Sequence, residues 1–136
     1  MGATQFEFIL YCKDQERSKQ FYSAVLACEP VLNVPGMTEF QLTQTVKLGL
    51  MPEAGIATIL GEHTPHPATG NGIPRCEVYM IVEQVADAYE RAVASGARPV
   101  SEPSARDWGD TVGYVADPDG HILALAEPTA GSQQSG

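Results

Sequence analysis

The chain has 136 residues, 43% of them hydrophobic, enough for one core or for two small modules that share one. Seventeen acidic residues against eight basic ones leave a net charge of −9. Such a surface repels phosphate backbones and anionic lipid, so neither nucleic acid nor a membrane is expected as a partner. No apolar run approaches the roughly 20 residues of a membrane span. The opening Met1-Gly2-Ala3-Thr4-Gln5 lacks the pattern of a secretory leader, and the expected location is the cytoplasm. The cysteines, Cys12, Cys28 and Cys76, are widely spaced and odd in number, which speaks against a disulfide framework or a structural zinc site.

In chain order, Phe6 to Cys12 is rich in aromatic and branched residues and reads as a strand. Asp14 is placed to cap a helix whose stripe is Phe21, Tyr22, Val25 and Leu26, and Pro30 is expected to end it. Strands are expected near Glu29–Val34, Met37–Thr43 and Val46–Met51, with a turn at Pro35-Gly36. The stretch from Pro52 to Ile73 carries Pro, Gly, Thr and two loop histidines, His63 and His66, and reads as a connection with one short helical turn. A second strand follows over Arg75–Val82. Val85, Ala88, Tyr89, Ala92 and Val93 then mark an amphipathic helix that Gly96 can close. Strands near Arg98–Glu102, Thr111–Ala116 and His121–Glu127 complete the pattern, the last two joined by a type I turn at Asp117-Pro118-Asp119-Gly120.

The two halves carry the same order of elements. Ala24-Val25 and Pro30-Val31 reappear as Ala92-Val93 and Pro99-Val100, an offset of 68 to 69 residues, and Glu7 reappears as Glu77 at an offset of 70. Internal repetition at half the chain predicts two tandem βαβββ modules, an α+β fold. The boundaries are expected at 1–54 for the first module, 55–74 for the linker, 75–128 for the second module and 129–136 for a disordered tail.

Leu10-Tyr11-x-x-Asp14-x-x-Arg17-Ser18-x-x-Phe21-Tyr22-x-x-Val25-Leu26 resembles the opening of a vicinal oxygen chelate domain, and Asp117-Pro118-Asp119-Gly120-His121 resembles its closing hairpin. This is the family of glyoxalase I, bleomycin resistance proteins and extradiol dioxygenases. The resemblance implies curved mixed sheets around a cavity between the modules, a homodimer, and in the enzymes a divalent metal that chelates two neighbouring substrate oxygens. Carried over position by position, the family's metal sites fall on Glu7 and Glu77 and on Gly49 and Ala124. The last two offer no donor side chain.

Strand alternation puts Glu7, Ile9 and Tyr11 on one face and Phe6, Phe8, Leu10 and Cys12 on the other. Glu77, Tyr79 and Ile81 likewise share a face. The glutamate faces should line the cavity, joined by Lys47, Gly49, Met51, Ile122, Ala124 and Ala126, and the apolar faces should meet the helices. Three roles stay open for Glu7 and Glu77: metal binding, which with oxygen donors favours Mg²⁺ or Mn²⁺; acid–base work; or a structural pair with Lys47, Arg75 or a backbone amide. Around Arg106-Asp107-Trp108-Gly109-Asp110, Trp108 can stack on a flat ligand and Arg106 can hold an anionic group, or both can serve only to hold the loop. Tyr11, Tyr79 and Met51 complete the expected ligand contacts.

Three functions follow. The first is a small-molecule binding protein of the drug-resistance kind, with no cofactor and no complete metal site. The second is a metal-dependent lyase or isomerase resembling glyoxalase I (a lactoylglutathione lyase), with Mg, Mn, Zn or Ni. The third is a metal-free enzyme with Glu7 or Glu77 as general base. The expected partners are a small molecule and a second copy of the chain, and the sequence leaves open whether the ligand is turned over.

Overall fold

Each half of the chain closes a four-stranded mixed sheet under one helix. The computed structural model describes residues 2–130. It divides into two compact units, the first ending at Gly72 and the second starting at Ile73.

In the first unit, β1 (Phe6–Cys12), α1 (Gln15–Leu26), β2 (Leu32–Val34), β3 (Met37–Gln41) and β4 (Val46–Pro52) give the sheet order β1-β4-β3-β2. β1 runs parallel to β4, and the other neighbours are antiparallel. The helix begins where Asp14 accepts the Arg17 N–H at 3.0 Å. It ends earlier than Pro30, at Ala27, which takes a left-handed conformation (φ 54°) and donates to the Ala24 carbonyl. Phe21, Tyr22 and Val25 of α1 are buried, as are Phe40, Leu48 and Leu50 on alternate positions of β3 and β4. Each such side chain contributes on the order of 1.5–3 kcal/mol relative to exposure. A short helix, α2 (Glu53–Leu60), continues from β4 and buries Ile56.

The second unit repeats the plan. Its elements are β5 (Glu77–Ile81), α3 (Val85–Ala94), β6 (Arg98–Ala105), β7 (Asp110–Ala116) and β8 (Ile122–Pro128), in the order β5-β8-β7-β6. The Asp117 turn closes with the Gly120 N–H donating to the Asp117 carbonyl at 2.9 Å, Gly120 having φ 94°. β6 is longer than its sequence pattern indicates because it accommodates two irregularities against β7, between Pro99 and Ser101 and between Ser101 and Ser104.

Two expectations need correcting. The face of β1 expected to meet helices does so only at Leu10 and Cys12; Phe6 and Phe8 are 55% and 58% exposed. The reason is geometric: α1 lies over β3 and β4, so the start of edge strand β1 falls beyond its cover. The segment from Thr129 is expected to be unstructured, yet the Thr129 N–H donates to the Gly109 carbonyl at 2.9 Å and its hydroxyl lies 3.0 Å from that of Thr111. The rest of that expectation, from 131 onward, lies outside the described residues. No helix among the described residues is long and apolar enough to cross a membrane.

Candidate functional site

Strand register decides which polar side chains share a face. In the first unit Glu7 stands opposite Lys47, which stands opposite Gln41; Ile9 stands opposite Gly49, which stands opposite Glu39; and Tyr11 stands opposite Met51. Residues paired in register project to the same side. The glutamate face therefore carries Glu7, Glu39, Gln41 and Lys47 at one end and the half-buried Tyr11 and Met51 at the other.

Glu7 is exposed as a residue, but its carboxyl lies in the hollow that Gly49 leaves: a Cβ at Gly49 would collide with Glu7 Oε2 and would stand 3.1 Å from Ile9 Cγ1. Burial of that carboxyl, and then the hydrogen bond and like charge of Glu39, hold Glu7 above the usual carboxylate range, with Lys47 opposing. Lys47 Nζ pairs with Glu39 Oε1 at 3.4 Å. The result is two neighbouring carboxyls beside one ammonium group, with Glu7 shifted toward its protonated form. Sequence reading singled out Glu7 and Lys47 and missed Glu39. Alternation along Met37–Thr43 marks Glu39 as facing with Met37 and Gln41, but only the register with β4 brings it to Gly49 and hence to Glu7.

In the second unit the corresponding glutamate has different company. Glu77 is exposed and stands opposite Ile122. The next cross-strand row is Tyr79, Ala124, Tyr114 and Ser101. Val112, Ala124 and Ala126 form a buried apolar cluster with Tyr114 packed against it. Arg106 to Asp110 form the turn of the β6–β7 hairpin: the Arg106 N–H donates to the Asp110 carbonyl at 2.8 Å, the Gly109 N–H to the Arg106 carbonyl at 3.3 Å, and Gly109 has φ 99°. That turn delivers Trp108 to β5. Trp108 Nε1 donates to Tyr79 Oη at 2.9 Å, and Tyr79 Oη donates to Asp110 Oδ2 at 2.6 Å. Burial and then the bond to Asp110 raise Tyr79 above the ordinary phenol range, with the Trp108 bond opposing. Trp108 and Tyr79 stay 55% and 39% exposed despite these bonds. The guanidinium of Arg106 lies over Tyr114, 5.2 Å from the ring centroid.

The structure thus brings together three of the expected ligand contacts, Tyr79, Arg106 and Trp108, within one unit, and sets Tyr11 and Met51 beside one another in the other. Among the described residues, no three His, Cys, Asp or Glu side chains gather where they could hold a metal ion. Glu7 and Glu39 lie together, and Glu39 pairs with the ammonium of Lys47. At the two donor-free positions, Glu7 fills the hollow at Gly49 and Ala124 is 0% exposed. His66 Nδ1 accepts the Ala68 N–H at 3.1 Å and so caps a turn of the connecting segment.

The fold agrees with what the chain is similar to. It is 27% identical to a glyoxalase-related enzyme from Fulvimarina pelagi, whose crystal structure superposes with a TM-score of 0.77 over 89% of this chain and 85% of that one. A solution structure of a protein from Agrobacterium tumefaciens is 29% identical, with a TM-score of 0.71 over 95% of this chain and 99% of that one. An uncharacterized protein of Mycobacterium bovis is 25% identical over 122 residues, 88% of this chain and 80% of that protein. The sequence model of the Glyoxalase/Bleomycin resistance protein/Dioxygenase superfamily matches residues 4–125, and the chain belongs to that family.

Proposed function

We propose that this chain binds a small, flat organic molecule on the aromatic face of its second unit, held by side chains rather than by a divalent cation. The observation that carries this reading is the hydrogen-bonded row from Trp108 through Tyr79 to Asp110. Two large aromatic side chains remain exposed while their polar atoms are fixed, so the apolar rings are pre-organised for contact at little further entropic cost. Gly49 and Ala124, filled by neighbours and without donors, support binding without the metal on which the family's enzymes rely.

The test is metal analysis of the purified protein, with methylglyoxal–glutathione turnover measured in added Ni²⁺, Zn²⁺ and Mn²⁺, beside a thermal-shift screen of flat aromatic compounds. Stoichiometric metal with turnover overturns the reading. A ligand whose thermal shift disappears in Trp108→Ala supports it, and a shift unchanged in that variant removes Trp108 from the site.

A second reading has its own observation. The Glu7–Glu39 carboxyl pair beside Lys47 is suited to metal-free proton transfer from an acidic C–H. On this reading Glu7→Gln abolishes turnover of such a substrate while the protein stays folded. We propose, finally, a cytoplasmic location, from the composition and opening residues alone, and a homodimer, supported by the exposed Phe6 and Phe8 on an edge strand.

A further inference from the structure

Two places in the chain set an Asn or Asp directly before a glycine, Asn71-Gly72 and Asp119-Gly120. Such pairs share a chemical weakness: the backbone nitrogen of the glycine, with no Cβ beside it, can attack the side-chain carbonyl carbon of the residue before it. The attack needs that nitrogen and that side chain to be free to meet, and the structure separates the two pairs on this point. In the Asp117 turn the Gly120 N–H donates to the Asp117 carbonyl at 2.9 Å and the Asp119 N–H donates to Asp117 Oδ1 at 2.8 Å, so the backbone on both sides of Asp119 is held. The other pair has no such fastening. Asn71 and Gly72 are exposed, both take left-handed φ (56° and 68°), and among the described residues neither makes a hydrogen bond. Nothing stands within 4 Å of the place that a Cβ on Gly72 would occupy.

The chain's second asparagine is a built-in comparison. Asn33 lies in β2, and its Oδ1 accepts the Thr38 hydroxyl at 2.8 Å. The residue after it is Val34, whose branched Cβ crowds the backbone nitrogen that would have to attack.

We propose that Asn71 is a site of spontaneous modification, deamidating through a cyclic imide. The Gly72 nitrogen gives up its proton and bonds to Asn71 Cγ; the Cγ–Nδ2 bond breaks, and the amide nitrogen leaves as ammonia, taking up that proton. Water, the only co-reactant, then opens the five-membered imide. Opening at Cγ leaves aspartate. Opening at the main-chain carbonyl leaves isoaspartate, in which the chain runs through Cβ and Cγ and is one carbon longer. Either product adds a negative charge to a chain already at −9. The change falls beside the division between the two compact units at Gly72 and Ile73, outside every strand and helix, so the extra carbon of isoaspartate lengthens the connection and leaves both sheets intact.

The experiment holds the whole folded chain in warm, mildly alkaline buffer and follows its tryptic peptides by mass spectrometry, against an unincubated sample digested in the same way. Electron-transfer fragmentation tells isoaspartate from aspartate. Trypsin puts the three positions on separate peptides: Asn33 on Gln20–Lys47, Asn71 on Leu48–Arg75, and Asp119 on the peptide that starts at Asp107. Leu48–Arg75 is expected to gain one mass unit and to contain both products, faster at higher pH because the attacking nitrogen must lose its proton. Gln20–Lys47 is expected to keep its mass, and Asp119 to isomerise only once the chain is unfolded in urea. Gly72→Ala should slow the conversion several-fold; because that variant also strains a left-handed φ, Asn71→Gln is the second variant and should abolish the mass gain in Leu48–Arg75. An Asn71 that survives in the folded chain while the urea-unfolded chain loses it overturns the proposal, since the turn is then held. Equal conversion at Asn33 and Asn71 in the folded chain overturns it as well.

Discussion

Gly49 shows how one missing side chain makes room for a carboxyl group. At a position that the resemblance matches to a family metal ligand, this chain has no side chain at all, and the Glu7 carboxyl lies in the space. Gly49→Ala is expected to fold, since the atoms it displaces are the tip of Glu7 and a carbon of Ile9, but to drive Glu7 away from its hollow. Carbon-detected NMR titration should then show the Glu7 carboxyl returning toward its ordinary pKa. The same group makes a pH prediction. Glu7 binds its proton more tightly folded than unfolded, so between the unfolded value of 4.5 and its raised folded value the native state holds more protons. By linkage its stabilising contribution is complete below 4.5 and is lost as pH rises through the folded value. Chemical denaturation of wild type and Glu7→Gln across that window should show the pH-dependent part vanish in the variant; an unchanged slope would contradict it. The sequence made Glu7 legible because an acid on a strand face is conspicuous. Glu39 was not, because its partnership depends on pairing between strands and not on spacing along one.

At the scale of elements, hairpins and their fastenings place the side chains that matter. The β6–β7 hairpin carries Arg106 and Trp108, and its packing against α3 is tight at Gly113, where a Cβ would stand 2.9 Å from both Tyr89 Cδ1 and Pro103 Cγ. Gly113→Ala should therefore cost about 1–3 kcal/mol, read as a lower denaturation midpoint, because neither a proline ring nor a packed tyrosine can swing aside. In the first unit Gln15 ties α1 to the β2–β3 hairpin. Its Nε2 donates to the Val34 carbonyl at 2.8 Å and to Thr38 Oγ1 at 2.9 Å, and its Oε1 accepts the Gly36 N–H at 3.0 Å. Gln15→Ala is expected to lose about 1–2 kcal/mol, with faster amide exchange at Gly36. Helix positions, strand alternation and the Asp117 turn were all readable from residue types. The β6 irregularities and the left-handed Ala27 were not, since both answer to contacts made by distant segments.

For the whole molecule, the duplicated pattern is the governing fact. Each unit has the same strand order, and each leaves apolar residues exposed on the first strand: Phe6, Phe8 and Ile9 on β1, Tyr79 and Ile81 on β5. Long apolar edge strands invite pairing. The proposed homodimer predicts that sedimentation gives twice the monomer mass and that Phe8→Ser shifts it toward monomer. Monomeric wild type at micromolar concentration would exclude the dimer.

Periodicity and the half-chain repeat were enough by themselves to set the class of fold, because these depend on which residues are apolar and how often they recur, and the family came from the resemblance carried by the Leu10–Leu26 and Asp117–His121 motifs. Tertiary structure alone decided that Glu7 meets Glu39, that Trp108 bonds Tyr79, and that Arg106 Nη2 ties Ser101 and Glu102 to Val112. Each of those contacts joins residues at least ten apart in sequence or depends on a strand irregularity, and the pairing of strands, which no local pattern encodes, sets who stands beside whom.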